Sequence, residues 1–441
     1  MYLCDLHPIM NDMKKLVLTI ALSCVSAVLN AQTAWEEIQK DLHNSASNHL
    51  AYPGPKQAML TPAPEGKSPF YISHYGRHGS RYLVKKENYE RPCAVLARAD
   101  SAGALTALGR DVLHRVRMLC DEADMRWGEL SPLGAVQHRQ IARRMYERFP
   151  EVFDGDVCID AKSTVVIRCI LSMENALMQL VMMNPRLRIR HDASHHDMYY
   201  MNLRDTALKS QRTDSVINEK YKAFARKYDH SQHLMSKLFS DEDYVKKEVD
   251  VKQLSADIFT LASNIQSLEA RKKVTLYDLY SDKELYDNWK VQNANWYIYY
   301  GGYKLNGGTQ PYSQRNLLRR IIEEADSCIQ LERPGATLRF GHETMVLPLT
   351  CLLELDNYGL QTDNLESLEH KGWINYRVFP MGANVQFVFY RKDLQDKDVL
   401  VKVLLNENEA TLPIKTDDAP YYKWSDVRDY YLKKLDAYHG K

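Results

Sequence analysis

The sequence has no excess of either charge, no internal repeat and no low-complexity tract, and each absence excludes a class of protein. Lys and Arg number 58 against 57 for Asp and Glu, so the formal net charge is +1. The field of the whole chain favours neither nucleic acid nor an acidic membrane, and strong anion binding needs a local cluster of cations. With 19 Gly and 16 Pro among 441 residues, the composition excludes collagen-like, coiled-coil and largely disordered proteins.

Long apolar runs are absent, with one exception near the amino terminus. Residues 16–29 carry no charge, follow Lys14 and Lys15, and end shortly before Ala31. A basic start, an apolar run of this length and a small residue at the exit are typical of a secretory signal peptide. The run is shorter than the about 20 residues that a spanning helix needs. We therefore predict a signal peptide over residues 1–31 and export across the inner membrane, to the bacterial periplasm.

The first twelve residues do not suit the start of a signal peptide, because they hold two Asp and one His. We predict that translation begins at Met13 and that cleavage follows Ala31. The alternative is lipid attachment at Cys24, although the preceding Ala21-Leu22-Ser23 matches the usual lipid-attachment motif poorly. No comparable apolar run follows, which predicts an exported soluble protein without a transmembrane anchor.

Cysteine is scarce, and its spacing is not that of a metal site. Six cysteines follow residue 31, none of them in a CxxC pattern: Cys93, Cys120, Cys158, Cys169, Cys328 and Cys351. One disulfide and buried free thiols both remain open for an exported protein. His191-Asp192 with His195-His196 is the only tempting metal cluster, and we interpret it as a polar loop. We predict that the protein uses no metal and no other cofactor.

Short apolar runs alternate with helical patterns on both sides of a longer polar stretch. The predicted elements are strands at residues 70–74, 157–161, 336–340, 385–390 and 399–405 and helices at residues 106–125 and 131–149. The first strand is predicted to break into a turn at Tyr75-Gly76, and a further helix is predicted to start at Ser163-Thr164. This alternation predicts an α/β fold, with a mostly parallel central sheet flanked by helices and an inserted, mainly helical cap domain. The core is expected to comprise residues 32–191 and 331–441, and the cap residues 192–330.

The passage Arg77-His78-Gly79-Ser80-Arg81, at the end of the first predicted strand, carries the chemistry. Its two guanidinium groups flank one imidazole, and arginine binds phosphate oxygens while staying charged at every relevant pH. The glycine allows the backbone to turn sharply or to approach a ligand closely. A neutral histidine between phosphate-binding groups can attack phosphorus as a nucleophile. The pattern therefore favours phosphate chemistry over a surface loop without function.

This passage resembles the signature of the histidine phosphatase superfamily, in its acid phosphatase and phytase branch. Two further elements of that family are present. Arg168 follows a predicted strand at the start of a helix, in the place of the third phosphate-binding arginine. His342 and Glu343 follow a late strand, in the place of a histidine and an acid. The resemblance covers roughly residues 65–415, and the chain is also similar to the multiple inositol polyphosphate phosphatases.

The third element departs from both family patterns. Most acid phosphatases of this branch have His-Asp there, and multiple inositol polyphosphate phosphatases have His-Ala-Glu, whereas this chain has His342-Glu343-Thr344. The carboxylate directly follows the histidine, as in the first group, and is a glutamate, as in the second. Glutamate is one methylene longer than aspartate and still reaches a leaving oxygen if the backbone is slightly displaced. Glu343 is thus the expected proton donor.

The resemblance implies hydrolysis of a phosphate monoester in two steps, without a metal. The implied nucleophile, proton donor and four phosphate-binding groups are, in that order, His78, Glu343, Arg77, Arg81, Arg168 and His342. The implied substrate is a phosphorylated small molecule such as an inositol polyphosphate. A catalytically weak phosphate-ester binding protein of the same fold and a sugar or nucleotide acid phosphatase remain alternatives. A mutase-type relative is disfavoured by export.

Two further cations are candidates for binding the rest of the substrate. Lys85 lies four residues after Arg81, where members similar to phytases often place a basic group. Arg190 ends a stretch in which Arg186 and Arg188 alternate with apolar residues, so a strand would place the three arginines on one face. These arginines either line the pocket or protect an exposed strand edge from aggregation, and both interpretations stay open.

Overall fold

The computed structural model describes residues 33–203, 205–212 and 214–439. The predicted signal peptide, the start at Met13, the cleavage after Ala31 and the alternative lipid site at Cys24 all lie outside these residues. Among the described helices, none combines the length and the apolar character of a membrane span. The cysteines of the described part all carry free thiols.

A central sheet forms the middle layer of the core. Its strands are β1 Ser68–Arg77, β2 Cys158–Ser163, β3 Arg188–Asp192, β5 Gly335–Gly341, β7 Asn384–Arg391, β8 Leu400–Leu405, β9 Asn408–Ala410 and β10 Tyr422–Lys423. They are ordered β10-β8-β7-β1-β5-β2-β3, with β9 paired to β8. Two short strands, β4 Gly302–Tyr303 and β6 Gln361–Thr362, pair with each other apart from this sheet.

The α/β fold with a helix-flanked central sheet is confirmed, and the pairing of the strands adds a detail. Strands β1, β5, β2 and β3 are parallel to one another. Strands β7, β8, β9 and β10 pair in antiparallel fashion, and β7 joins β1 antiparallel. The sheet is therefore mixed, whereas the sequence predicted a mostly parallel one. The difference arises because β7 and β8 form a hairpin, which reverses direction over a short connection.

Helices cover both faces of the sheet, as the alternation along β1 requires. Tyr71 belongs to the apolar cluster that includes the late helices, whereas its neighbour Ile72 belongs to a cluster with the helices around residues 132–183. Successive strand residues point to opposite faces. The two clusters therefore lie on opposite sides of the sheet, and both are buried.

Fifteen α-helices are described, several with the caps that the sequence indicates. They are α1 Ala34–Lys40, α2 Glu87–Ser101, α3 Ala107–Ala123, α4 Pro132–Arg148, α5 Ile167–Met183, α6 Met198–Met201, α7 Thr206–Arg212, α8 Ser215–Arg226, α9 Ser231–Leu238, α10 Glu242–Glu248, α11 Val251–Asn264, α12 Asp282–Tyr300, α13 Arg315–Cys328, α14 Glu343–Leu353 and α15 Trp424–Asp436. Thr106 and Ser131 cap α3 and α4, and Pro132 is the first residue of α4. Both predicted helices are confirmed.

A helical lobe beside the sheet draws on more of the chain than the predicted insertion. Apolar side chains of α2 and α3, which precede the insertion, pack in one cluster with those of α9, α11 and α12. Helix α13, which lies inside the span 192–330, packs instead on the sheet. The division at residues 192 and 330 stays a proposal, and these contacts favour a lobe that also contains α2 and α3.

Candidate active site

Two neighbouring parallel strands end side by side and bring the two histidine motifs together. In the register of β1 and β5, Arg77 lies opposite Gly341, so His78 and His342 each follow a strand directly. The centroids of these two rings are 5.8 Å apart. The predicted end of this strand at Tyr75-Gly76 was wrong, because β1 continues to Arg77. Ligands of open α/β sheets commonly bind at such carboxyl ends.

The turn after β1 contacts the first turn of α4 backbone to backbone. A Cβ on Gly79 would lie 2.5 Å from the carbonyl oxygen of Gly134, and a Cβ on Gly134 would lie 2.2 Å from that of Ser80. The Ser131 hydroxyl donates to the same Ser80 carbonyl at 3.1 Å. No side chain fits between the two segments, so both glycines are needed to hold this turn in place.

Arg77 is buried and held in a fixed orientation. Its Nη1 donates to the carbonyl oxygens of Asn48 and Phe379, each at 2.7 Å. Its Nε lies 3.1 Å from Oε2 of Glu343, and its Nη2 has no hydrogen-bond partner among the described residues. Two backbone carbonyls thus aim the guanidinium while leaving one of its nitrogens available for an anion.

His78 has the protonation state that a nucleophile needs. Its Nδ1 lies 2.9 Å from the carbonyl oxygen of Gly79, which only accepts, so Nδ1 carries the proton and Nε2 the lone pair. This Nε2 is buried without a hydrogen-bond partner in the described part of the chain. Burial above all holds the pKa of His78 well below its usual value, and Arg77 and Arg168 lower it further against the opposing effect of Glu343.

Two more guanidinium groups face the same space. Arg81 is buried, and its Nη1 donates to the carbonyl oxygen of Tyr82 at 3.0 Å. Arg168 is the second residue of α5, and its Nη1 lies 3.4 Å from the carbonyl oxygen of Gly128. Helix α5 begins at Ile167, later than the predicted start at Ser163-Thr164. The Nε of each arginine lacks a partner among the described residues, and such unsatisfied donors form an anion site.

His342 and Glu343 enter the site at the start of α14. His342 is the residue before this helix, and its Nε2 lies 3.2 Å from Oγ1 of Thr164. Burial chiefly lowers the pKa of His342 to about 4, so this ring is neutral near pH 7. Oε2 of Glu343 lies 3.6 Å from Nε2 of His78. The carboxylate therefore sits against the nitrogen that would attack phosphorus.

Glu343 is ionised in this arrangement. Its burial alone would raise its pKa, but Arg77 above all, together with Arg81, outweighs that effect and holds the pKa well below its usual range. The carboxylate thus occupies the place of an anion among the arginines. A bound phosphate would compete with it for Arg77 and repel it, which raises its pKa.

The donor atoms of His78, His342 and Glu343 lie within 4.8 Å of one another and could by distance alone hold a metal ion. The charges favour an anion instead, because Arg77, Arg81 and Arg168 all act on the histidines of this group. The predicted polar loop is wrong for His191 and Asp192, which lie at the end of strand β3 because they pair with β2. Nδ1 of His191 lies 2.8 Å from Oε1 of Glu174, and both side chains are partly exposed.

The amino-terminal segment contributes two groups that carry no recognisable motif. The backbone carbonyl oxygen of Asn48 accepts a hydrogen bond from Arg77, and the side-chain Nδ2 of Asn48 lies 3.5 Å from Oε1 of Glu343. The half-buried ring of His49 lies close enough to Arg81, Arg77 and Glu343 to be affected by their charges, and burial with these arginines lowers its pKa to about 3. Sequence reasoning missed both, because residues 33–65 show only a polar, proline-containing pattern.

The helical lobe reaches the pocket at two points. The Nδ2 of Asn264, the last residue of α11, donates to the carbonyl oxygen of Arg81 at 3.0 Å. The ring of Trp296 in α12 packs on Phe379 at 4.8 Å, and the carbonyl of Phe379 is one of the two that hold Arg77. These contacts support a lobe that borders the site, with the charged groups supplied by the core.

Lys85 lies at the side of the pocket that holds Arg168. It is exposed and directly follows Val84. A Cβ on Gly128 would lie 3.6 Å from both the Cα of Val84 and the guanidinium of Arg168. The structure thus brings Lys85 near the rim, and its contact with a substrate stays a prediction.

Arg190 lies away from the pocket, on the edge strand β3. It pairs in register with Asp160, which is level with Thr337 in β5 and Ser73 in β1. Ser73 precedes Arg77 by four residues, so Arg190 sits far below the carboxyl end of the sheet. Its Nη2 lies 2.7 Å from Asp160 with the side chain 76% exposed. This placement fits the strand-edge interpretation.

Comparison with known proteins points to one family. The family model described as histidine phosphatase superfamily (branch 2) matches residues 76–406. The chain is 22% identical over 449 aligned positions to multiple inositol polyphosphate phosphatase 1 of Gallus gallus, with 96% of this chain and 94% of the chicken protein covered. The residues matched by the family model include all three motifs of the pocket.

Solved structures share the fold at low sequence identity. The multiple inositol polyphosphate phosphatase of Bifidobacterium longum in complex with inositol hexasulfate has a TM-score of 0.75 and 17% identity, covering 88% of this chain and 97% of that one. The phytase of D. castellii has a TM-score of 0.63 and 14% identity, covering 89% and 84%. At such identities the likeness demonstrates a common fold.

Proposed function

Since the chain belongs to the histidine phosphatase superfamily (branch 2) and is a phosphoric monoester hydrolase, we propose that it acts through a phosphohistidine at His78. The observation that carries this proposal is the state of the ring. Its Nδ1 is engaged with a carbonyl, while its buried Nε2 has no hydrogen-bond partner among the residues that the structure describes. A protein that only binds phosphate esters has no need of such a nitrogen.

The first step transfers the phosphoryl group to the enzyme. The nitrogens of Arg77, Arg81 and Arg168 that lack a partner among the described residues, together with His342, bind the phosphate oxygens and neutralise charge as the transition state forms. Nε2 of His78 attacks phosphorus in line, so the P–N bond forms as the ester P–O bond breaks. The departing alkoxide takes a proton from Glu343 and leaves as an alcohol.

The second step returns the enzyme to its starting state. Water attacks phosphorus, Glu343 accepts the proton of that water, and the P–N bond breaks to release inorganic phosphate. The first step needs a protonated Glu343, whereas the free enzyme holds it ionised against Arg77. Binding of the anionic substrate occupies Arg77 and raises the pKa of the carboxyl group, so Glu343 takes up a proton from solvent. That proton returns to solvent when inorganic phosphate leaves and Glu343 again lies against Arg77.

The proposed substrate is a small molecule with several phosphates, of the inositol polyphosphate class. Support comes from the chicken relative and from the exposed Lys85, which follows Val84 and adds positive charge near the rim. A whole-chain charge of +1 is compatible with this, because a cleft acts on a substrate locally. We also propose that the protein is exported to the bacterial periplasm, on the strength of the signal-like residues 16–29.

A second candidate is a phosphate-ester binding protein with little turnover. It is favoured by the depressed pKa of Glu343, since an ionised carboxylate gives no proton to a leaving group. A sugar or nucleotide acid phosphatase with the same mechanism is the other alternative. Phosphate release from a panel of phytate, sugar phosphates and nucleotides distinguishes these three.

The deciding experiment traps the intermediate. The chain from residue 32 is mixed with a ³²P-labelled monoester and quenched in base within milliseconds, because phosphohistidine survives base and is destroyed by acid. Labelled protein is expected from the parent and is expected to be absent from His78→Ala. Turnover without labelled protein, or label that persists in His78→Ala, contradicts the proposal.

A further inference from the structure

One residue of the amino-terminal segment contacts both members of the ion pair that lies against the nucleophile. The carbonyl oxygen of Asn48 accepts from Nη1 of Arg77 at 2.7 Å. Its Nδ2 lies 3.5 Å from Oε1 of Glu343, at the outer limit of a hydrogen bond. The other carboxylate oxygen, Oε2, faces Nε of Arg77 at 3.1 Å and Nε2 of His78 at 3.6 Å. The two oxygens of Glu343 thus have different surroundings.

The backbone before Asn48 is held in an unusual conformation by contacts from the rest of the molecule. Ser47 has φ 53° and ψ −120° and is buried, a conformation that costs energy for any residue with a Cβ. Nδ2 of Asn375 donates to the Ser47 hydroxyl at 2.9 Å, and Nε1 of Trp289 donates to Oδ1 of Asn375 at 3.0 Å. These bonds fix the direction in which the next side chain leaves the backbone.

We propose that Asn48 is a positioning residue that decides which oxygen of Glu343 carries the catalytic proton. This inference rests on the proposed function. The amide N–H group only donates, so Oε1 has to accept and cannot carry a proton that points at the amide. In the free enzyme Oε2 faces a second donor, Nε of Arg77 at 3.1 Å. Once a bound phosphate engages that guanidinium, the amide on Oε1 is the donor that remains, and the proton is placed on Oε2, the oxygen next to His78, where phosphorus and the leaving oxygen come to lie.

The same contact serves both steps of the reaction. In the first, the O–H bond at Oε2 breaks and its proton forms an O–H bond with the departing alkoxide. In the second, Oε2 takes a proton from the attacking water. Oε1 stays bound to the amide throughout, so the carboxyl group does not rotate between steps. Asn48 itself touches neither phosphorus nor the leaving group, and it acts through Glu343.

The test compares Asn48→Ala and Asn48→Asp with the parent over a pH series, on phytate and on p-nitrophenyl phosphate. On phytate, kcat on the acidic side is expected to fall about tenfold, the effect of one hydrogen bond to a charged group. Turnover of p-nitrophenyl phosphate, whose leaving group needs no proton, is expected to stay within about twofold. That retained activity also shows that the variant is folded.

The pH profile separates positioning from loss of structure. A donor to a carboxylate lowers its pKa, so removing the donor is expected to move the alkaline fall of kcat to higher pH. Asn48→Asp is expected to move it further, because it adds a negative charge of the same size. An alkaline limb that stays in place in both variants overturns the proposal, as do equal losses on the two substrates.

Asn44→Ala is the matched control. Asn44 lies in the same segment, and its described hydrogen bonds go to the carbonyl oxygens of Glu37, at 2.9 Å, and Asp41, at 3.1 Å. The parental pH profile is expected for this variant. A shift of its alkaline limb would mean that loosening the segment causes the effect, and it would overturn the role of Asn48. If the parent hydrolyses neither substrate, the proposed function fails and this inference with it. If the parent is active and His78→Ala abolishes that activity, the proposed function is supported, and this result does not depend on the outcome for the Asn48 variants.

Discussion

The turn after β1 and the amino-terminal segment, residues 33–65, both contact the ion pair of Arg77 and Glu343, yet only the turn has a recognisable sequence. The turn offers substrate-facing side chains, Arg77, His78 and Arg81, whose chemistry restricts the residue type. The segment offers a carbonyl to Arg77 and an amide to Glu343. A backbone carbonyl is available from every residue, so such contacts leave no pattern. Motifs therefore record what touches the reacting atoms and omit what holds them in place.

The largest effect is expected on the turn side of this comparison. His78→Ala removes the attacking nitrogen, and kcat is expected to fall at least a thousandfold, as for other nucleophiles that act as part of a unit. Thermal unfolding and binding of inorganic phosphate are expected to change little. Retention of more than a few per cent of parental turnover would assign the nucleophile elsewhere.

Arg168→Ala is expected to rank second. Loss of a charge-assisted contact to a buried phosphate costs about 2 kcal/mol or more, which is roughly thirtyfold in kcat/KM. Arg190→Ala, which removes an exposed guanidinium paired with Asp160, is expected to match the parent. Steady-state kinetics on phytate measure both. Parental kinetics in Arg168→Ala would show that Arg168 does not bind the substrate phosphate. A large loss of kcat/KM in Arg190→Ala would show that Arg190 contributes to substrate binding.

Glu343→Gln tests the carboxylate that both regions contact. The acid form is needed when the leaving group departs, and it is lost as pH rises through the pKa of Glu343 in the complex. The parental kcat on phytate is therefore expected to fall on the alkaline side, and the variant is expected to flatten this limb. It is expected to lose most activity on phytate and little on p-nitrophenyl phosphate. Equal losses on both would require another proton donor.

Glu37→Gln tests the anchoring of the amino-terminal segment, with the smallest expected effect. The buried Glu37 accepts from the hydroxyl of Tyr376 at 2.7 Å and lies 3.1 Å from Nη2 of Arg377. Burial alone would raise its pKa, but Arg377, Tyr376 and Lys56 lower it overall. Its stabilising effect is thus present above the unfolded-state pKa and is lost as pH falls through the lower folded-state value.

The variant is accordingly expected to reduce the free energy of unfolding by about 2 kcal/mol at pH 7 and by less near pH 3. Urea denaturation at the two pH values measures the difference. Activity on phytate is expected to drop only a few fold, because the catalytic groups remain. A deficit that grows toward acid pH would mean that Glu37 is not held ionised by these neighbours.

The predicted helices and strands succeeded where local signals were strong. Ser131 and Pro132 start α4 as the pattern indicates, because a capping hydroxyl and a proline both suit a first turn. The helix start placed at Ser163-Thr164 was wrong, since Ser163 still pairs with Phe340 in the sheet. Pairing with a distant strand decided that boundary, and no local signal reports it.

By itself, the sequence determined the alternation of strands and helices and the identity of the charged groups, because both depend on residue type. Only the tertiary structure decided that β1 and β5 lie side by side, which places His78 beside His342. It also decided that the amino-terminal segment borders Glu343, and that Arg190 is kept at a sheet edge. These outcomes depend on which surfaces bury one another in three dimensions, and burial between distant segments is not encoded in the spacing of neighbouring residues.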